Sequence, residues 1–319
     1  MKAAQINAYG GVEVLEVKDI PEPTLKKDQI LAEVHAAGLN PFDVKLRSGM
    51  MKNMIPLNFP VTFGGDFSGI VTQVGEGVTE YKAGEEVYGT ATVLSGGSGA
   101  YADFATVGIE KIAFKPKIAS FEEAAALPVA GSSVVQAIEE HFKLQSMQKI
   151  LIHGGAGGIG HMAIQLAKSI GAYVATTVNS DGMEFVKGLG ADEVIDYKTQ
   201  KFEMMLKDFD AVYDTVGGEV TNKSFEVLRK SLPAGRQGGI LVSMLGQPNE
   251  ELAKKYGVTG IGQNTQNNRE HLTRLAELVD SGKIKVHVDK AFPLEQVREA
   301  FSYLETGSPR GKVVLKIKD

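Results

Sequence analysis

Cysteine is absent from all 319 residues, and so is tryptophan. Without thiols no disulfide can form, and no zinc centre can be built on thiolates. Histidine is scarce, with only His35, His141, His153, His161, His271 and His287 in the chain. None of them shares a ligand-spaced cluster with another, so no metal site is expected. Each reads as a surface or locally hydrogen-bonded residue, and His153, abutting a glycine loop, is the one singled out. Positive charge is not in excess either. The formal net charge of −5 argues against nucleic acid as the main ligand. Long apolar runs are missing: Met1 is followed by Lys2, Ala3, Ala4 and Gln5, and no later run approaches a membrane span. The expectation is a cytoplasmic protein without membrane insertion. What remains is ordinary globular composition, 43% hydrophobic and 23% charged. At roughly 150 residues per domain the length suits two domains.

Glycine, by contrast, is plentiful, and between Gly154 and Gly160 the chain reads GGAGGIG. Gly155, Gly157 and Gly160 carry the spacing of a dinucleotide fingerprint. An apolar run (Ile150, Leu151, Ile152) enters the loop and a helical pattern leaves it. Gly155 is expected to permit the turn, Gly157 to let the backbone approach a pyrophosphate, and Gly160 to let helix and strand pack closely. With Ala156, Gly158 and Ile159 they form a loop whose N–H groups and helix dipole favour an anion.

The first 120 or so residues carry short β-like runs (Ile30 to His35, Gly69 to Val74, Glu86 to Tyr88, Ala100 to Val107) punctuated by glycine and proline. That pattern suits a small, partly open β-barrel. Ser120 and Glu123 read as a capping box, opening a helix that stops near Pro128. From about residue 130 helices alternate with short buried strands, a βαβ series that implies a parallel sheet with helices on both faces. The tail, with helical patterns at Arg269 to Asp280 and Leu294 to Leu304 and a strand at Lys312 to Ile317, is expected to rejoin the N-terminal β domain. The domains are therefore drawn as 1–122 with 264–319, and 123–263. Leu232 to Gly238 reads as a loop insertion with no function assigned.

Seven stretches appear in one family's order: NPFDVKLRSG from Asn40, PVTFGGDFSGIVTQVGEGV from Pro60, FEEAAALP from Phe121, KILIHGGAGGIG from Lys149, LGADEVIDY from Leu189, AVYDTVGG from Ala211 and GKVVLKI from Gly311. On these the chain resembles the medium-chain dehydrogenase/reductase superfamily over essentially its whole length. Within it the chain is similar to the zinc-free quinone oxidoreductase and alkenal/enone reductase branch. The resemblance implies an α/β fold in which a doubly wound Rossmann domain is inserted in a GroES-like, partly open barrel. It also implies homodimers. Zinc alcohol dehydrogenases of the superfamily hold their metal with a cysteine, a histidine in a Gly-His-Glu segment and a third ligand. Here Asn40 stands at the first position, and the segment reads Gly64, Gly65, Asp66. Without a Lewis acid on the carbonyl oxygen, hydride passes most easily to an acceptor that is already electrophilic, a quinone or an α,β-unsaturated carbonyl.

An NAD site usually places an acidic residue about 20 positions beyond the glycine loop, on the adenosine 2′-OH. Here Asn179 and Ser180 stand there. A neutral residue removes repulsion against a 2′-phosphate, so NADPH is the expected cofactor, and the branch's tyrosine is matched by Tyr197. The branch's lysines are not matched, since Asp181 and Gly182 occupy their place, leaving Lys187 or Lys201 to supply the charge. The resemblance further points to Asn40, Lys45 and Ser133 beside the nicotinamide. Asn40 reads equally as a turn residue, Lys45 as a solvated lysine and Ser133 as a second helix cap. Lys45 in its functional reading stabilises a developing oxyanion. Asp43 and Arg47 read as partners fixing the Asn40 loop. Gly217, Ser243, Met244 and Leu245 fall at strand ends where open α/β sheets bind ligands. Arg310 and Lys312 resemble the family's cofactor-proximal Gly-Lys segment, or else a charged turn before an edge strand. No residue reads as an obligatory general acid, which leaves water or a ribose hydroxyl as proton source. The leading function is thus an NADPH-dependent, zinc-independent reductase of quinones, enals or enones. The alternatives are a cofactor-binding protein with a structural role, and another zinc-free reductase such as an enoyl-thioester reductase.

Overall fold

The computed structural model describes residues 1–231 and 238–318. The loop expected at Leu232 to Gly238 lies almost wholly outside them. The chain forms two compact units. One comprises Met1–Ser132, Asn267–Gly282 and the chain from Val286 onward; the other comprises Ser133–Gln266 and Lys283–Lys285.

In the second unit Ile150, Leu151 and Ile152 are completely buried, each worth roughly 2 kcal/mol of apolar burial. Burial on both faces is why this strand is a continuous apolar run rather than an alternating one. It lies inside a six-stranded, all-parallel sheet. The order is Glu193–Asp196, Tyr173–Val178, Lys149–His153, Ala211–Asp214, Ile240–Ser243 and Thr259–Gly262. This is the doubly wound order, whose direction of winding reverses between Lys149–His153 and Ala211–Asp214. The helix Gly160–Ile170 ends at Gly171, whose φ of 88° no β-carbon-bearing residue adopts comfortably. The expected helix from Ser132 forms as an α-helix over Pro128–Val135 continued by a π-turn segment over Gln136–His141.

The first unit is organised by the ten-residue strand Gln29–Gly38. Bulges at Leu31/Ala32 and Val34/Ala36 bend it. Its N-terminal half pairs with Phe104–Gly108 and its C-terminal end with Lys312–Lys316, while Asp66–Val74 runs along its other edge. Glu86–Thr90 and Ile112–Phe114 extend one side of this sheet. Val288–Pro293 extends the other, so Lys312–Lys316 is paired on both sides and is not an edge strand. A small second sheet joins Glu16–Asp19, Lys2–Ile6 and Val61–Thr62. Phe63, Phe67, Tyr101 and Phe301 lie in the core of this unit.

The capping box forms as expected: Ser120 Oγ accepts from Glu123 N at 3.1 Å and Glu123 Oε2 accepts from Ser120 N at 2.9 Å. Pro128 starts the next helix as well as ending this one. The compact units divide at Ser132/Ser133 rather than at 122/123. Residues after 122 stay with the barrel because the helix Phe121–Ala125 lies on Gly38, where a Cβ would meet the Ala125 carbonyl oxygen at 2.3 Å. Lys285 goes with the parallel sheet through reciprocal bonds with the Gln165 amide, both 2.9 Å. Among the described residues no helix is long and apolar enough to cross a membrane.

Candidate active site

Five of the parallel strands deliver expected cofactor residues at one end of the sheet, their carboxyl edge. The glycine loop follows His153, Asn179 and Ser180 follow Val178, and Tyr197 follows Asp196. Gly217 follows Asp214, and Met244 and Leu245 follow Ser243.

Within the loop the turn is made at Gly154, with φ of 70°, and not at Gly155. Gly155 is required for a different reason: a Cβ there would lie 2.0 Å from Thr176 Oγ1 on the adjacent strand. At Gly160 a Cβ would strike Gly154 O at 2.2 Å and Gly155 Cα at 2.7 Å, so Gly160 does bring helix and strand together. Gly157 is different again, since a Cβ would meet only Gly154 O, at 3.3 Å. No side chain caps the helix Gly160–Ile170, and no described residue accepts from the N–H of Gly158 or Ile159. Open space over Gly157 and free N–H donors fit a pyrophosphate.

His153 braces this loop from beneath. Its Nδ1 lies 3.0 Å from Thr177 Oγ1 and its Nε2 3.0 Å from Ser224 Oγ, tying three elements together. Burial pushes its pKa down to about 4, against the opposing pull of Asp214. Asp214 is a residue the sequence reading missed. Its Oδ1 accepts from Val216 N and Gly217 N, both at 2.9 Å, and its Oδ2 from Thr221 Oγ1 at 2.5 Å. An acidic residue ending a buried strand just before Gly-Gly was the available signal. Thr215 Oγ1 donates to His153 O at 2.7 Å and so brings this loop beside the glycine loop.

Asn179 is half-buried and caps the turn Ser180–Gly182, its Oδ1 accepting from Gly182 N at 3.1 Å. Ser180 and Tyr197 are exposed. Lys187 is paired with Glu184 at 2.9 Å, and Lys201 is exposed. Ser243 Oγ accepts from Leu245 N at 3.1 Å, and Met244 Sδ accepts from Tyr213 OH at 3.4 Å. Ser133 is fully buried inside its helix, so it is not a cap. Its hydroxyl lies 2.7 Å from Thr265 Oγ1, and its carbonyl accepts from Tyr213 OH and Gln263 Nε2, each at 3.0 Å.

The barrel unit holds the other candidates. Asn40 precedes the helix Pro41–Arg47, and its backbone N–H donates to Asp43 Oδ2 at 2.8 Å. Tyr101 OH donates to the same oxygen at 3.0 Å. Arg47 sits over the Phe301 ring and pairs with Glu305 at 2.7 Å. Asp43 and Arg47 therefore fix the loop, as read from the sequence. Asn40 Nδ2 donates to Asp66 Oδ2 at 2.9 Å, and Lys312 Nζ donates to Asn40 Oδ1 at 2.5 Å and Leu39 O at 2.7 Å. Asp66 is fully buried and Lys312 is 4% exposed. Burial raises Asp66 to about 6, opposed by Lys312, and raises Asp43 to about 7, the Asp66 charge adding to the effect. Burial lowers Lys312, opposed by Asp66 and Asp43. Lys312 thus lies inside the barrel unit rather than in a surface turn, while Arg310 is exposed. Lys45, on the Pro41–Arg47 helix, is half-buried, and no described residue pairs with its ammonium.

A zinc ion does not fit this site. Zinc takes thiolate, imidazole or carboxylate donors. Here an amide stands at the cysteine position and a glycine at the histidine position, and the neighbouring Asp66 already accepts at Oδ2 from Asn40 and Val129 N. Among the described residues no group of three or more His, Asp or Glu could hold a metal.

A chain with a doubly wound sheet carrying a free-donor glycine loop, and a barrel unit carrying a buried amide–carboxylate–ammonium cluster, is an oxidoreductase with a dinucleotide-binding fold. The chain belongs to the medium-chain dehydrogenase/reductase superfamily, with the quinone oxidoreductases and alkenal/one reductases. The alcohol dehydrogenase GroES-like domain family matches residues 26–137, and the zinc-binding dehydrogenase family matches residues 189–315. The chain is 38% identical to a 2-methylene-furan-3-one reductase of Solanum lycopersicum, over 99% of this chain and 79% of that one. It is 36% identical to the chloroplastic NADPH-dependent alkenal/one oxidoreductase of Arabidopsis thaliana, with the same coverage of 99% and 79%. Its structure matches the Escherichia coli quinone oxidoreductase complexed with NADPH at a TM-score of 0.87 and 28% identity, covering 99% of this chain and 100% of the other.

Proposed function

We propose that this protein is an NADPH-dependent, zinc-independent reductase of quinones or α,β-unsaturated carbonyls. The observation that carries the reading is the residue set where zinc enzymes place their cysteine and histidine ligands, here Asn40 and Gly65, with the Asn40 amide tied instead to Asp66 and Lys312. Such a site polarises a carbonyl far less than a metal does, which favours acceptors that are electrophilic before they bind. The related enone, alkenal/one and quinone reductases support the same substrate classes, and two of them, one NADPH-dependent and one complexed with NADPH, support the same cofactor.

In this reading Gly155, Ala156, Gly157, Gly158, Ile159 and Gly160 hold the pyrophosphate. Asn179, Ser180 and Tyr197 accommodate the adenosine 2′-phosphate. Gly217, Ser243, Met244, Leu245 and Ser133 border the nicotinamide half, and Arg310 adds an exposed cation. When bound, the nicotinamide supplies a hydride to the acceptor, which also takes up a proton. Asn40 donates an N–H to the acceptor's oxygen, and the unpaired Lys45 ammonium stabilises the negative charge that develops there. Lys312 has its ammonium engaged inside the barrel unit, so its contribution passes through Asn40. In this reading the protein works as a cytoplasmic homodimer, the state that its family resemblance implies.

The test is oxidation of NADPH and of NADH against a panel of quinones, enals and enones. Turnover with NADPH faster than with NADH is expected. Absence of turnover with every acceptor would sink the reading, and sedimentation as a monomer would remove the dimer.

A further inference from the structure

Lys312 is the least expected member of the barrel cluster, because its sequence context reads as a cofactor-proximal segment or a charged turn and its side chain is buried. An ammonium taken out of water costs several kcal/mol unless well compensated. Here the compensation is specific: Leu39 O at 2.7 Å, Asn40 Oδ1 at 2.5 Å and Asp66 Oδ2 at 4.0 Å. An apolar side chain of similar volume, opposite a neutral residue 66, would fill the same space without that cost. The charge calls for a reason beyond packing.

The bonding pattern supplies one. An asparagine amide has an accepting end and a donating end, and its partners decide which way it faces. Lysine can only donate, so Lys312 takes the Oδ1 end and leaves the Nδ2 end toward Asp66. One Nδ2 hydrogen goes to Asp66 Oδ2. The second has no acceptor among the described residues, and Asp66 Oδ1 is buried without a hydrogen-bond partner. A cation on the oxygen of an amide also strengthens its N–H groups as donors, since linked hydrogen bonds polarise one another in a low dielectric. Of the three residues, Asn40 stands where zinc-dependent members of the superfamily place a cysteine ligand.

We propose that Lys312 is a positioning residue whose ammonium locks the Asn40 amide, leaving one polarised N–H free for the acceptor's oxygen. The assignment rests on the reading that Asn40 meets the acceptor.

The experiment compares wild type with Lys312→Met/Asp66→Asn, which removes both charges together and leaves no unpaired buried ion to prevent folding. Circular dichroism and thermal melting establish that the variant folds, and NADPH titration that its glycine loop still binds, with Kd within about threefold. The first readout needs no turnover: hydrogen exchange of the Asn40 side-chain amide, assigned by its loss in Asn40→Ala. Exchange at least about tenfold faster in the double variant is expected. The second is kcat with the best quinone or enone, expected to fall by about tenfold or more at an unchanged KM for NADPH. Unchanged amide exchange overturns the proposal, and so does a kcat within about threefold of wild type. Should wild type reduce no acceptor, the functional reading fails, while the exchange measurement still decides whether Lys312 locks Asn40.

Discussion

Two alanine substitutions three residues apart should separate the architectural glycines of the loop from the one that faces a ligand. At Gly160 the new methyl would meet three backbone atoms, Gly154 O at 2.2 Å, Gly155 Cα at 2.7 Å and Gly154 C at 2.9 Å. Ordinary contact begins at 3.4 Å, so loop and helix would have to separate by about an ångström. Overpacking of this kind costs about 2–3 kcal/mol. At Gly157 the methyl meets only Gly154 O, at 3.3 Å, so the fold should lose less than about 1 kcal/mol. That methyl would, however, occupy the approach to the free N–H groups of Gly158 and Ile159. NADPH binding should weaken by about tenfold or more, equivalent to about 1.4 kcal/mol. Urea unfolding measures the first quantity. Titration of NADPH fluorescence measures the second, without indole emission because the chain has no tryptophan. If Gly157→Ala binds NADPH like wild type, or unfolds as readily as Gly160→Ala, the assignment of the cradle is wrong.

Replacing Lys45 with Met should lower kcat by about 10–100-fold, on the scale of a lost oxyanion-stabilising donor, at an unchanged Kd for NADPH. An unchanged kcat removes Lys45 from the chemistry. Asn179→Asp should weaken NADPH by about tenfold and leave NADH nearly unaffected, because only the former brings a phosphate to the new carboxylate. Equal loss for both cofactors would refute the placement of the 2′-phosphate. His153 is neutral in the fold, with a pKa lowered from 6.5 to about 4. Its stabilising contribution is therefore complete above pH 6.5 and is lost as the pH falls toward 4, up to on the order of 3 kcal/mol. Urea midpoints should fall across that window in wild type and less steeply in His153→Gln, and parallel slopes would exclude His153 as the cause.

The parallel sheet was legible because its strands are local, fully buried apolar runs such as Ile150 to Ile152, separated by helical patterns and glycine turns. Thr259–Gly262 was not, since a strand reading TGIG has little intrinsic preference and owes its conformation to pairing with Ile240–Ser243. The glycine loop was recognisable, and so was the packing duty of Gly160, but not which glycine makes the turn. The positive φ falls on Gly154, and Gly155 is needed against Thr176, a residue on another strand. The barrel cluster was half legible. Asn40 and Asp66 stood out by their place in the family's motifs, and Asp43 as a partner fixing the Asn40 loop. Lys312 reads from sequence either as a cofactor-proximal cation or as part of a charged turn, because nothing local indicates that its strand lies between Val288–Pro293 and Gln29–Gly38. Long-range pairing decides its burial.

The central claim is hydride transfer to an activated acceptor without a metal. It is tested most directly by following NADPH oxidation with the best quinone or enone before and after exhaustive chelation, and again after zinc is added. The account predicts turnover that chelation leaves unchanged and zinc does not raise. Turnover that chelation abolishes and zinc restores would contradict it.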